Sequence, residues 1–349
     1  MVWNRQKEGI YEKTLVLSAW NWINMAIPVI SSTFASFSRM CENLGTSTLG
    51  HLFIDEGGQA LPQASVGAIN RSKHIMVLGD PEQIKPVLTL DSNVLAMLGE
   101  HFNVSEKYLS GTASTQTLAD EISKYGFYKE QDEAWESWVG IPLWVHRRCK
   151  SPMFKISNKI SYNGYMVQGV EGKGKVDWFD IGGTASDKYV EEQGRFLLRK
   201  IEAMIQNDKK IIDRNEKDTI YVITPFANVA YQLAKLLKNI EFTRYDEKNK
   251  PTNVGTIHTF QGKEAPIVFL VLGADKNSRG AARWAVEEPN MMNVAVTRSK
   301  EEFYIIGDKR LYLDLGSDVV RDTYSIIKNY NTHQMDNKVG DKSASEIQV

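Results

Sequence analysis

At 349 residues, with 42% hydrophobic and 24% charged residues, the chain is long enough for two globular domains, each with its own core. A formal charge of −1 excludes a global basic field, so any nucleic-acid binding must use a local groove. Only Cys41 and Cys149 occur, outside any CxxC spacing, which argues against a zinc site or disulfide framework and for a reducing, cytoplasmic compartment.

In chain order, the first apolar segment is TLVLSAWNWINMAIPVI, residues 14–30. It is short for a bilayer crossing, is interrupted by Asn21, Asn24 and Pro28, and follows acidic Glu8 and Glu12. It reads as a core helix followed by a strand at 28–32. Further strands are expected at 51–55, 74–78, 176–180, 219–224, 254–257, 267–272 and 303–306. Between them the spacing predicts helices. One is capped by Ser114, with Leu118, Ile122 and Tyr125 on one face and Gly126 ending it. Another opens at Pro152, buries Met153, Ile156 and Ile160, and stops at Asn163-Gly164. Val190, Leu197, Ile201, Met204 and Ile205 line a third, and Val229, Leu233, Leu236 and Leu237 a fourth. Such alternation predicts an α/β protein with parallel sheets covered on both faces. The polar stretch 104–142 reads as a connection between a first domain at 1–103 and a second at 143–330. Residues 331–349 lack apolar periodicity and are expected to be disordered.

Several polar motifs fall at the expected strand ends. HLFIDEGGQ places Asp55 and Glu56 after an apolar run, where a helix-capping pair is the plainer reading. GDPEQIKPV, residues 79–87, follows the next strand; Asp80 can reach a metal-bound water there and Gln83 a phosphate oxygen. WVHRRCKSP offers Arg147 and Arg148, whose planar forks suit phosphate or base stacking. TIHTFQGKE gathers Thr256, His258, Gln261, Gly262 and Glu264 at one strand edge. NVAVTRSK reads as a short helix that presents Arg298 before a strand.

Taken in this order, DEGGQA, GDPEQIKPV, HRRC with SN and Tyr162, TIHTFQGKE and NVAVTRSK resemble the motifs of superfamily 1 helicases. The similarity is to the branch of the nonsense-mediated-decay helicase and the Okazaki-fragment nuclease-helicase. VISSTFASFSRM, residues 29–40, and ITPFANV, residues 223–229, resemble two further segments of that branch. The resemblance covers roughly residues 28 to 315.

The resemblance implies two RecA-like domains of the P-loop NTPase fold, ATP in the cleft between them, and movement along single-stranded DNA or RNA. On that basis Asp55 coordinates Mg²⁺, Glu56 orients or deprotonates the attacking water, and Gln83 senses the γ-phosphate. Arg148 and Arg298 neutralise charge on the transferred phosphoryl group. Glu264 holds the ribose, Asp80 and Arg147 line the nucleotide site, and Gln261-Gly262 couples that site to the nucleic-acid track. Thr33, Thr224, Thr256 and His258 lie on that track, where hydroxyls grip a phosphodiester backbone without reading sequence.

Three features depart from the family pattern. Arg147 stands where an adenine-stacking aromatic is usual, and HRRCKSP is one residue longer than the usual spacing before proline. The third departure concerns the phosphate loop, GxxxxGK followed by Ser or Thr between a strand and a helix. The 54 residues before Asp55 hold no such motif. GVEGKGKV, residues 169–176, has the spacing but ends in Val and enters a strand. The chain therefore reads as part of a first RecA-like domain, incomplete at its N-terminus, and essentially all of a second, with little hydrolysis of its own. The alternatives are a non-catalytic module that binds nucleic acid or protein and, with less support, a metal-dependent nuclease built on Asp55, Glu56 and Asp80.

Overall fold

Apolar spacing at Val16 and Trp20 turns residues Lys13–Ala26 into an amphipathic helix, α1. Its buried face packs with Cys41 and Leu44 and with the partly buried Phe37, Met40 and Leu49. The computed structural model describes residues 13–80, 82–88, 90–105, 108–109, 113–131, 135–213, 216–260 and 262–345. The chain divides into two units, Met1–Pro142 and Leu143–Val349.

In the first unit, the strand expected at 28–32 is absent: these residues are irregular and exposed, leading into α2 (Phe34–Met40). A strand needs a neighbour to satisfy its amides, and among the described residues β1 (Leu49–Ile54) pairs only with β2 (Ser72–Val77). Those two run parallel, His51 opposite His74 and Ile54 opposite Val77, joined through α3 (Pro62–Asn70). Then come α4 (Ser92–Phe102), ended by Asn103 in the left-handed region (φ 54°), and α5 (Thr115–Ile122). The cap on α5 is as expected: Ser114 and Thr117 form a reciprocal capping box.

The inward face of α5 is polar, however. Thr115, Gln116 and Asp120 are buried while Ile122 is 86% exposed. Hydrogen bonding decides this orientation: Thr115 donates its N–H to Ala60 O (2.7 Å) and its hydroxyl to Ser65 Oγ (2.8 Å). After α5, β3 (Gly126–Gln131) and β4 (Trp135–Gly140) form an antiparallel hairpin. Residues 104–142 therefore carry ordered elements that belong to the first unit, not a bare connection. Their local pairing, and the bond from Gly140 N to Asp120 Oδ1, supply the structure that composition does not advertise.

The second unit opens with a short parallel pair, β5 (Val145–His146) and β6 (Val167–Gln168), around α6 (Met153–Ser161). Next are β7 (Lys175–Asp180), the hairpin of β8 (Ala185–Ser186) and β9 (Tyr189–Val190), and α7 (Glu191–Asn207). They are followed by β10 (Ile220–Thr224), α8 (Ala227–Lys238), β11 (Val254–Thr256) and β12 (Ala265–Val271). Then come α9 (Arg279–Val286), α10 (Pro289–Thr297), β13 (Ser299–Gly307), α11 (Lys309–Leu313) and α12 (Asp318–Ser345). Five strands make one parallel sheet in the order β11-β10-β12-β13-β7. The unit thus has the parallel α/β sheet that the alternating pattern predicts. Leu197, Ile201, Val229, Leu233 and Leu237 from α7 and α8 are fully buried with strand residues Val222, Phe269 and Phe303.

The segment expected to lose structure after residue 330 is helical as far as Ser345. Val319, Val320 and Ile327 bury one side of α12, Tyr330 OH donates to Gly174 O (2.9 Å), and Asn331 Nδ2 donates to Val176 O (3.1 Å). A helix nucleated on that anchor extends at little cost into a polar continuation. No helix among the described residues is long and apolar enough to cross a membrane.

Candidate active site

In the first unit the parallel pair brings two polar loops together. Leu78 N donates to Ile54 O and Gly57 N to Leu78 O, each at 2.8 Å, so the loops after β1 and β2 leave side by side. Asp55 is exposed at the end of β1, and its Oδ1 accepts the Glu56 N–H at 2.9 Å. Glu56 adopts a left-handed backbone (φ 55°), a conformation costing roughly 1–2 kcal/mol outside glycine. Its Oε2 accepts from Gln59 Nε2 at 2.8 Å. On the neighbouring loop Asp80 Oδ2 accepts from Gln83 Nε2 (2.8 Å), and Asp80 Oδ1 accepts from Glu82 N (3.0 Å). Glu82 is also ion-paired with Lys129 of β3 at 2.8 Å. The fold thus places Asp55, Glu56, Asp80 and Gln83 on adjacent strand ends, with the Gln83 amide resting on Asp80. No group of three or more His, Cys, Asp or Glu among the described residues could hold a metal. A hard cation here would take one or two carboxylates and complete its shell with phosphate oxygens, a pattern typical of Mg²⁺. Thr33 lies elsewhere in this unit; its exposed hydroxyl caps α2 by accepting the Ser36 N–H at 3.3 Å.

In the second unit Glu264 and Arg298 stand immediately before β12 and β13, and Ala265 N donates to Arg298 O at 2.9 Å. Glu264 is ion-paired with Arg148 (3.2 Å) and with Lys300. The Lys300 ammonium chiefly, then the charges of Arg148 and Arg298, hold the Glu264 carboxyl below its usual range. Lys300, which the NVAVTRSK pattern gives no reason to single out, reaches Glu264 from its place one residue into β13.

Arg298 differs from the expected outward presentation. It is 2% exposed, donating from Nε to Val294 O (3.3 Å) and from Nη1 to Lys263 O (3.2 Å). Carbonyls in the last turn of α10 and in the loop before β12 thus take up the guanidinium. Arg147 is exposed. Cys149 is buried against Val296 and Thr297 carbonyls, and burial pushes its thiol up to about 12.

The opposite, C-terminal edge of the sheet carries Thr224 and Thr256, register partners at the ends of β10 and β11. Thr224 is fully buried and its Oγ1 accepts the Phe226 N–H at 3.4 Å; Thr256 is half-buried. His258 is exposed on the turn Ile257–Phe260. The chain then crosses from this edge to Glu264 at the other through Gly262, which has φ +69°. Gln261 lies outside the described residues.

Two other motif features prove structural. Ser157 Oγ donates to Asn293 Oδ1 (2.7 Å), Asn293 Nδ2 donates to Tyr162 OH (3.0 Å), and Asn158 holds both the N–H and the carbonyl of Met166. These bonds fasten α6 to α10 and fix the turn after it. The GVEGKGKV stretch runs into β7, where Lys175 pairs with Glu302 at 2.6 Å. A strand in that place cannot present the amide cradle of a phosphate loop.

Residues 142–310, which hold Arg148, Glu264 and Arg298, match the model of a family described as an AAA domain. The chain is 24% identical over 268 residues to an uncharacterized ATP-dependent helicase of Methanocaldococcus jannaschii, covering 74% of this chain and 36% of that one. It is 23% identical over 283 residues to a regulator of nonsense transcripts 1 homolog of Neurospora crassa, covering 75% and 23%. The relatives that this chain resembles are ATP-dependent helicases. The chain spans between about a quarter and a third of the length of these relatives. The solved structure of an arterivirus helicase, nonstructural protein 10, aligns at 14% identity and a TM-score of 0.36 over 84% of this chain and 56% of that one. Within the superfamily 1 pattern, Gln83, Glu264 and Arg298 are each already bonded inside their own unit.

Proposed function

We propose that this chain is part of an ATP-dependent helicase or translocase acting on single-stranded DNA or RNA. The observation that carries the reading is the cluster at the N-terminal edge of the large sheet. There Glu264 is held charged by Lys300 and Arg148, with buried Arg298 beside them. A fixed carboxylate suits ribose hydroxyls, and neighbouring guanidinium groups suit phosphate oxygens. In this reading Asp55 would hold a Mg²⁺ ion, which would supply charge compensation for the nucleotide. Glu56 takes the proton of the water that attacks the γ-phosphorus as ADP leaves. Gln83 hydrogen-bonds the γ-phosphate after releasing Asp80, and Arg148 and Arg298 stabilise the transferring phosphoryl group. Asp80 and Arg147 border the nucleotide. Thr33, Thr256 and His258 contact the strand, whereas the fully buried Thr224 only shapes that edge, and residues 261–262 link the two edges.

The 349 residues contain no GxxxxGK[ST], so hydrolysis is proposed to need a phosphate loop from outside them. The test is ATP turnover, with and without single strands, in a form that includes such a segment. Strand-stimulated hydrolysis that Glu56→Gln abolishes supports the assignment; stimulated turnover surviving in Glu56→Gln refutes the role of Glu56. The internal capping of Arg298 favours one second reading, a binding module without catalysis. That reading predicts strand binding but no turnover even when the phosphate loop is supplied.

A further inference from the structure

A large aromatic stands exposed at the sheet edge that carries Thr224 and Thr256. Trp284, on α9, is 57% exposed, an unusual state for an indole that could bury its area. Its ring lies 6.0 Å from that of Phe226 at 34°. Phe226 is buried, precedes α8, and donates its N–H to Thr224 Oγ1. The indole is therefore anchored on one side beside the strand-end hydroxyls and uncovered on the other.

The segment that carries Trp284 is exposed and rich in positive charge. Gly280 lies one turn before Trp284, where a helical side chain leans toward the N-terminus, and a Cβ built on it would meet nothing within 4 Å. Lys276, Arg279 and Arg283 are exposed on the same segment; Arg279 donates to Asp314 O at 2.6 Å. The opposing acids are Asp275, whose carboxylate is taken up by the N–H groups of Ala185, Asn277 and Ser278, and Glu287 and Glu288 beyond the end of α9.

We propose that Trp284 is a stacking platform for a base of single-stranded nucleic acid, with Arg283 and Lys276 steering the adjoining phosphates. The inference rests on the nucleic-acid reading above and adds a contact that no motif residue supplies. Stacking on an aromatic face is tolerant of sequence, as a translocating enzyme requires, and its removal costs about 10-fold in affinity.

The test is anisotropy of labelled oligo(dT) and oligo(U) with the parent chain, Trp284→Phe, Trp284→Leu and Trp284→Ala. A strand carrying 2-aminopurine reports stacking directly. Phe should bind as the parent does, whereas Leu and Ala should bind about 10-fold more weakly and lose the quenching of 2-aminopurine. Leu retains the apolar contact with Phe226, so it remains decisive if the alanine variant folds poorly. Leu binding and quenching as the parent does would overturn the platform while leaving nucleic-acid binding intact. Absence of strand binding by the parent itself would instead overturn the nucleic-acid reading, and the platform with it.

Discussion

Gly79 approaches Gly58 so closely that a Cβ on Gly79 would fall 2.5 Å from the Gly58 amide nitrogen and 2.8 Å from that of Gly57. The contact pinches together the loops that carry Asp55-Glu56 and Asp80-Gln83. Backbone cannot yield as a flexible side chain does. Gly79→Ala should therefore destabilise the first unit by about 1–3 kcal/mol. Urea unfolding checks this, and an unchanged midpoint would show that the two loops can separate freely.

Asn293 joins Ser157 and Tyr162 in a buried network between α10 and α6. Asn293→Ala removes partners from both groups and should cost about 1–3 kcal/mol. The double-mutant cycle with Ser157→Ala should show non-additive losses, since both changes break one bond.

Arg298 is proposed to serve the nucleotide, yet it already satisfies the carbonyls of Val294 and Lys263. Arg298→Ala should lower the stability of the second unit by about 1–3 kcal/mol, whether or not a nucleotide is present. Thermal melts of the two proteins without ATP measure it. Equal melting temperatures would mean that the internal bonds contribute nothing.

Cys149 is fully buried and its thiol is raised to about 12 by loss of solvation. At pH 8 its thiolate fraction in the folded protein is on the order of 10⁻⁴. Iodoacetamide should leave it unmodified in the native chain and label it along the urea unfolding curve. Mass spectrometry of the Cys149 peptide gives the answer, and rapid native labelling would contradict the burial.

Asp275 accepts N–H bonds from Ala185, Asn277 and Ser278, which hold its carboxyl below the usual range. A depressed folded value favours the charged, folded form. The contribution is complete above the unfolded carboxyl value near about 4 and is lost as pH falls through the folded one. Asp275→Asn should thus cost about 1–3 kcal/mol at neutral pH, and the gap should narrow on acidification. Urea midpoints for both proteins, compared at neutral pH and in acid, report the sign.

The sheet of the second unit was legible because its strands are buried on both faces and read as unbroken apolar runs between amphipathic helices. Val222, Val268 and Ile305 lie in such runs and are all fully buried. The positions of the candidate residues were legible for a related reason: a parallel sheet places polar loops at strand ends, and Asp55, Glu264 and Arg298 directly follow or precede such runs. Local pattern also sufficed for the Ser114 cap, whose partner is three residues away.

What the sequence could not show depends on partners distant in the chain. Residues 104–142 looked like a connection because α5 buries polar groups, satisfied by Ala60 and Ser65 some fifty positions earlier. The polar tail looked disordered because Gly174 and Val176, which anchor α12, lie over 150 residues away. Likewise Arg298 reads as a surface arginine until Phe260 and Lys263 carbonyls are brought to it. Composition, period and motif order determined the class of sheet and the identity of the candidate groups. Only tertiary structure decided which of those groups are buried and already bonded, because burial and hydrogen-bond satisfaction are properties of neighbours in space.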